Sequence, residues 1–132
     1  MISFDLSLKL ARSADAPVIA RMSRDFIEYG LPWRWTASRV ESRIHAPNVN
    51  VLVARIDSRV AGFGIMSYGE HSAHLDLLAV APEFRRHGVA RQLLRWLEKC
   101  ALVAGTFRIA LEVRVANRGA QLFYEQMGYS RL

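Results

Sequence analysis

His74 to Ala104, HLDLLAVAPEFRRHGVARQLLRWLEKCALVA, is the stretch whose reading decides the fold. Leu75 to Val80 reads as a strand, and it stops before Pro82, which cannot donate to a sheet ladder. A short basic connection follows, Glu83-Phe84-Arg85-Arg86-His87-Gly88. Apolar side chains then recur at Val89, Leu93, Leu94, Leu97 and Ala101, the spacing of one helix face. The order is strand, cationic turn, helix. A helix N-terminus leaves about four backbone N–H groups unpaired and carries roughly half a positive charge, so a turn that gathers those groups makes an anion site. Gly88 and the small Ala90 let a phosphate approach the backbone, and Arg85, Arg86 and Arg91 add charge. A plainer reading stands beside this one: Gly88 starts a helix and the arginines form a solvated face. The Gly-Lys-Ser/Thr ending of a nucleotide phosphate loop is absent, and so is the third glycine of the dinucleotide fingerprint.

The whole chain sets bounds on the rest. Its 132 residues suit one domain, with room for a sizeable core. A hydrophobic content of 52% with 23% charged residues argues a folded globule. No apolar run approaches the ~20 residues of a membrane span. Met1-Ile-Ser-Phe-Asp5 lacks the basic start and apolar block of a signal peptide, so the expectation is a cytoplasmic protein with no membrane partner. Cys100 is the single cysteine and falls within the helical pattern, where a packing thiol is expected. The net charge of +6 and pI of about 10.2 suggest an anionic ligand. Sixteen of the cations are arginines, the residue suited to forked phosphate contacts. They are scattered from Arg12 to Arg131, with no zinc-ligand spacing, basic heptad region or aromatic RNA-binding signature, so nucleic acid is not the expected partner.

Leu6 to Ala11 alternates as an outer strand. Ser13 is the expected N-cap of a first helix carrying Val18, Ile19, Met22 and Phe26 and ending at Gly30; Thr36 caps a second, with Val40 and Ile44. Trp33 and Trp35, between them, serve as core aromatics or as acceptor contacts. Asn50 to Ile56 and Val60 to Tyr68 form a hairpin through Asp57-Ser58-Arg59, and Gly62 and Gly64 point to a bulge or a close backbone approach. His71 and His74 lack a third ligand, and no metal site is expected. Phe107 to Val115, FRIALEVRV, alternates along a strand with Glu112 and Arg114 opposite Leu111, Val113 and Val115. Asn117 caps a last helix bearing Ala120, Phe123 and Met127; Gly128 ends it, and Tyr129 opens a final short strand. The expected order is β-α-α-β-β-β-α-β-α-β.

Arg85-x-x-Gly88-x-Ala90 directly after Leu78-Ala79-Val80-x-Pro82 resembles the acetyl-coenzyme A loop of the GNAT superfamily of N-acetyltransferases, with Ala90 where Gly is common. Leu111-Glu112-Val113-Arg114-x-x-Asn117-x-x-Ala120-x-x-x-Tyr124-Glu125-x-x-Gly128-Tyr129 is similar to that family's C-terminal motif. The likeness is greatest to the RimI-type enzymes that acetylate the N-terminal alanine of a ribosomal protein. The resemblance implies an α/β (α+β) fold with a mixed, mainly antiparallel central sheet flanked by about four helices. The family's last strand is missing, truncated or supplied by a partner, because this sequence stops at Leu132.

It also implies roles. Acetyl-coenzyme A would be held by Leu78, Ala79 and Val80 on the strand and by Arg85, Arg86, His87, Gly88, Val89, Ala90 and Arg91 at the turn, with Asn117 against its pantetheine. Glu112 would take the proton of an attacking amine and Tyr124 would supply one to the departing thiolate. A backbone N–H near Val80 would meet the negative oxygen of a tetrahedral intermediate. By their residue types alone, Glu112 is a polar strand position, Asn117 a cap and Tyr124 a helix-edge aromatic. The function implied is N-acetyl transfer to a primary amine, a protein N-terminal amine first and a small-molecule amine second, by a monomer or homodimer. A non-catalytic acyl-coenzyme A binding module is the alternative of another class.

Overall fold

The structure, a computed structural model, describes residues 5–132; the reading of Met1 to Asp5 against a signal peptide falls mainly outside them. Strand β1 (Leu6–Leu10) leads through a 3₁₀ turn at Ser13–Asp15 into α1 (Ala16–Phe26), and α2 (Ala37–Ile44) follows. β2 (Val49–Ile56), β3 (Arg59–Tyr68) and β4 (Ala73–Val80) run as a meander. A second 3₁₀ turn at Pro82–Phe84, α3 (Val89–Val103), β5 (Ile109–Ala110) and α4 (Arg118–Gln126) complete the chain. The sheet order is β1-β2-β3-β4-β5, antiparallel throughout except for the parallel pair β4 and β5, joined by a crossover through α3. This is the mixed, mainly antiparallel sheet with four helices that the sequence leads one to expect.

Burial explains why the strands hold. Val51, Leu52, Val53 and Ala54 are all buried on β2, as are Gly62, Phe63, Gly64, Ile65 and Met66 on β3, so both faces of the central strands are covered. α3 buries Val89, Leu93, Leu94, Leu97 and Ala101, the stripe expected from periodicity. Each of its valine and leucine side chains stabilises the fold by about 1.5–3 kcal/mol when fully buried. The two glycines of β3 are where this helix meets the sheet. A Cβ at Gly64 would stand 2.8 Å from Leu97 Cδ1, and one at Gly62 would stand 2.8 Å from the Ala79 carbonyl and 3.3 Å from Leu93 Cδ1. Both expectations hold: the two glycines admit close approach, and a bulge lies beside the first, because Ala54 pairs with Gly62 and Arg55 with Val60, which leaves Ala61 without a ladder partner on β2. The β2–β3 turn is a two-residue one, Asp57 and Ser58 at φ 50° and 67°, the twist that suits a tight hairpin.

A second bulge lies on β4. Ile65 pairs with Leu77 and Met66 with Leu75, which leaves Asp76 without a partner on β3.

Three expectations give way. Ser13 does not cap α1: the Asp15 carboxylate accepts from the Arg12 backbone N–H at 2.9 Å and pairs with Arg55, while the Ser13 hydroxyl meets His45 Nε2 at 2.9 Å. The carboxylate prevails because it can satisfy a helix-end donor and a guanidinium at once. Phe107 to Val115 forms a strand at Ile109–Ala110 alone, since β4 pairs with it only there and no strand among the described residues lies on the other side. Phe107 and Val115 are 86% and 91% exposed. Tyr129 starts no strand for the same want of a neighbour. Thr36 does cap α2, accepting from Arg39 N–H at 3.4 Å.

Candidate active site

β4 and β5 pair at Ala73 with Ile109 and His74 with Ala110, and then part. A cleft of about 690 Å³ opens between them. Leu77 to Val80 form one wall, Leu111 to Arg114 the other, and Asn117, Phe123 and Tyr124 close it from α4. Phe26, Ile27 and Tyr29, at the end of α1, border the mouth. Arg114 ties the two sides of that mouth together: its Nη1 donates to the carbonyls of Tyr29 at 2.7 Å and Ile27 at 3.3 Å, with the guanidinium 4.4 Å from the Tyr29 ring.

The cationic turn sits at the cleft's far end. Arg86 and Gly88 both adopt left-handed backbone, φ 66° and 77°, and steer the chain from β4 into α3. A Cβ at Gly88 would meet nothing within 4 Å, so backbone is open there to a ligand. Arg85 is docked against the strand end, its Nε donating to the Val80 carbonyl at 3.1 Å and its guanidinium 5.8 Å from the Phe26 ring. Open first-turn amides beside three arginines form a donor set that fits a pyrophosphate.

Of the residues singled out in the sequence, Leu78, Ala79, Val80, Arg85, Ala90, Glu112, Asn117 and Tyr124 all line the cleft. Arg86, His87, Gly88 and Arg91 are exposed at the turn beyond its lining. The Val89 side chain is buried in the core, so only its backbone can face a ligand. Asn117 Oδ1 caps α4 by accepting from Ala120 N–H at 3.0 Å. Burial pushes the Tyr124 phenol up to about 12, which keeps it protonated and able to donate. Its ring stands edge-on to Phe123 and Tyr129, with centroids 5.1 and 5.9 Å away. It also partitions the cleft from a second, more apolar groove of about 860 Å³ beside β5 and α4. Trp35 packs against the core and Trp33 is partly exposed, its Nε1 donating to the Ala20 carbonyl at 3.2 Å.

Sequence reasoning missed His74 and Asp76 as members of the site. His74 Nδ1 is 2.7 Å from Asp76 Oδ1, and its Nε2 is 2.5 Å from Glu112 Oε2. The signal was their two-residue spacing on one strand, but the link to Glu112 crosses 38 positions of sequence. His71 stands apart, exposed, 3.8 Å from Glu70.

Residues 19–129 match the acetyltransferase (GNAT) family, and the chain belongs to it. It is therefore an N-acetyltransferase whose cosubstrate is acetyl-coenzyme A. Solved structures share the fold. An aminoglycoside N-acetyltransferase in complex with CoA superposes with a TM-score of 0.84 at 18% identity, over 98% of this chain and 91% of that one. The ribosomal-protein-alanine N-acetyltransferase of Brucella melitensis biovar Abortus 2308 gives 0.75 at 21%, over 96% and 93%. Ard1 of Thermoplasma volcanium gives 0.83 at 23%, over 96% and 84%. No helix among the described residues is long and apolar enough to cross a membrane.

Proposed function

We propose that this enzyme acetylates a primary amine, and that the acceptor is the N-terminal amine of a protein, in the cytoplasm. The observation that carries the reading is that Glu112 and Tyr124 line one cleft with Leu78, Ala79 and Val80, and that this cleft runs to the basic turn at the start of α3. The turn residues Arg85, Arg86, His87, Gly88, Val89, Ala90 and Arg91 hold the phosphates of acetyl-coenzyme A through first-turn amides and cationic side chains. The exposed edge of β4 toward the cleft pairs with the pantetheine arm, and Asn117 closes over it.

An amine attacks only when neutral. Glu112, its side chain 83% exposed at the cleft and its Oε2 2.5 Å from His74 Nε2, takes the proton of the amine. A backbone N–H near Val80 meets the thioester oxygen as it gains charge, a donor of the kind worth about 3–4 kcal/mol. Tyr124, its phenol protonated, offers the proton that the departing thiolate needs.

Coenzyme release from acetyl-coenzyme A tests this, measured first with the protein alone, then with peptides beginning in Ala, then with polyamines and aminoglycosides. Turnover with the peptides supports the proposal. Turnover with small amines alone replaces the acceptor and keeps the chemistry. Calorimetric binding of the coenzyme without any turnover would mean a binding module, and no binding would remove the phosphate role of the turn.

A further inference from the structure

The loop at the mouth of the cleft carries charge and aromatic rings that the transfer chemistry does not use. Tyr29-Gly30-Leu31-Pro32-Trp33-Arg34-Trp35 lies between α1 and α2. Glu28, buried beside it, is committed to holding its shape: Oε1 accepts from the Arg34 backbone N–H at 2.7 Å, and Oε2 from the Ser23 hydroxyl at 2.7 Å and the Trp35 N–H at 3.3 Å. Trp33 Nε1 is tied to the Ala20 carbonyl of α1. A loop fixed in this way is a preformed surface, and a partner that meets it has little left to order. Tyr29, Leu31 and Trp33 stay exposed on it.

Cations surround these rings. The Arg24 guanidinium lies 5.5 Å from the Trp33 ring centre and that of Arg39 lies 4.1 Å from Trp35. Arg21 is exposed three residues before Arg24 on the same face of α1, and the Arg34 side chain is exposed on the loop itself. Asp25 pairs with Arg24 at 2.9 Å and Glu41 with His45 at 3.1 Å. Among the described residues no carboxylate is left within ion-pair distance of Arg21, Arg34 or Arg39. Cations gathered without counter-charge repel one another, and their use is an anionic partner.

We propose that this face docks an acidic segment of the acceptor protein, a few residues beyond the N-terminal amine that the enzyme acetylates. The proposal rests on the reading of the acceptor as a protein N-terminus, and narrows it to chains with Asp or Glu among their first several residues. Tyr29 lines the mouth of the cleft, and Arg34 is five residue steps from it. An extended acceptor leaving the cleft past Tyr29 therefore reaches Arg34 within about five of its own residues. There its carboxylates meet guanidinium forks, which match their geometry. A nucleic acid also brings negative charge, but single strands are held by stacking bases on open ring faces. The Tyr29, Trp33 and Trp35 rings each already lie under a guanidinium, and Trp35 packs against the core. The acidic peptide is the better fit.

The experiment compares three peptides that begin in the same Ala-Ala-Ser and continue with Gly alternating with Glu, Gln or Lys. Coenzyme release is followed at low and raised salt, for the intact enzyme, Arg34→Glu and Arg21→Glu. The backbone of Arg34, not its side chain, bonds Glu28, and Arg21 is exposed on its helix, so both variants should fold. For the intact enzyme, kcat/KM with the Glu peptide should exceed that with the Gln peptide about 5-fold, the combined effect of two or three exposed ion pairs. The gain should lie in KM, with kcat unchanged, and fade as salt rises. Arg34→Glu should erase it and favour the Lys peptide, while the Gln peptide turns over as before. A side chain that served only the fold would not exchange one preference for the other. Equal kcat/KM for the three peptides, or a Glu preference that both variants keep, would overturn the docking site and leave the acceptor reading standing. An oligouridylate that binds the intact protein more tightly than the Glu peptide does, and is released by Arg34→Glu, would overturn it in favour of nucleic acid. Turnover of small amines with none of any peptide would remove the acceptor reading and this site with it.

Discussion

α3 and α4 are both amphipathic helices and both border the cleft, yet they are held in different ways. α3 buries five side chains against the sheet and meets two glycines cut to receive it. α4 buries none. It is held by the partly buried Phe123 and Tyr124, which pack against the core, by Met127 just past its end, by the Asn117 cap, and by the Tyr129 hydroxyl donating to Glu98 at 2.8 Å. One wall of the site is thus part of the core, and the other is attached to it. The fixed wall carries the turn read as the coenzyme's phosphate site; the attached wall carries Tyr124. Stability and turnover should accordingly separate by helix.

Leu97→Ala should give the largest effect, about 2–5 kcal/mol lost in denaturant unfolding, because a fully buried leucine leaves a cavity. Leu122→Ala on the exposed side of α4 should stay within about 0.5 kcal/mol; equal losses at the two sites would erase the contrast. Tyr124→Phe should reverse the order, lowering kcat about 10²-fold with unfolding midpoint and coenzyme affinity unchanged. Full turnover in that variant would take Tyr124 out of the chemistry. Asn117→Ala removes the cap that holds α4 and should cost about 1 kcal/mol, measured by thermal unfolding.

The smallest effect belongs to the far edge of the sheet. Partial burial pushes the Asp15 carboxyl up, but the Arg12 backbone N–H and the Arg55 guanidinium outweigh it and hold it below its ordinary value. A carboxylate shifted down stabilises the fold above its unfolded pKa, about 3.9, and loses that contribution as pH falls through the lower folded value. Asp15→Asn should therefore lower the urea midpoint at pH 7 and leave it nearly unchanged at pH 2. A pH-independent difference would mean that packing, and not charge, is what Asp15 supplies.

The same contrast governs what the sequence could reveal. β4, its turn and α3 were readable because their signals are local: a strand run ended by proline, then a helix stripe whose five positions are the five that are buried. The cap at Thr36 and the cap at Asn117 were readable for that reason too. FRIALEVRV alternates as a strand should, but pairing belongs to neighbours, and only Ile109 and Ala110 find one. Glu112, Asn117 and Tyr124 were legible through a family pattern, and all three line the cleft. His74 was not, because its meaning is set by a carboxylate from another segment. Gly62 and Gly64 were noticed, but the helix they make room for is some 30 residues further along.

The unpaired residue in β4 sets sheet regularity against reactivity. Without Asp76, Leu75 and Leu77 would follow one another opposite Met66 and Ile65, and the ladder between β3 and β4 would run unbroken. The same deletion would strip His74 of its Nδ1 acceptor and shorten the wall of the cleft. Selection for the most stable sheet and selection for an intact cleft would thus retain different residues at this position, and the chain carries the one that the sheet does not need.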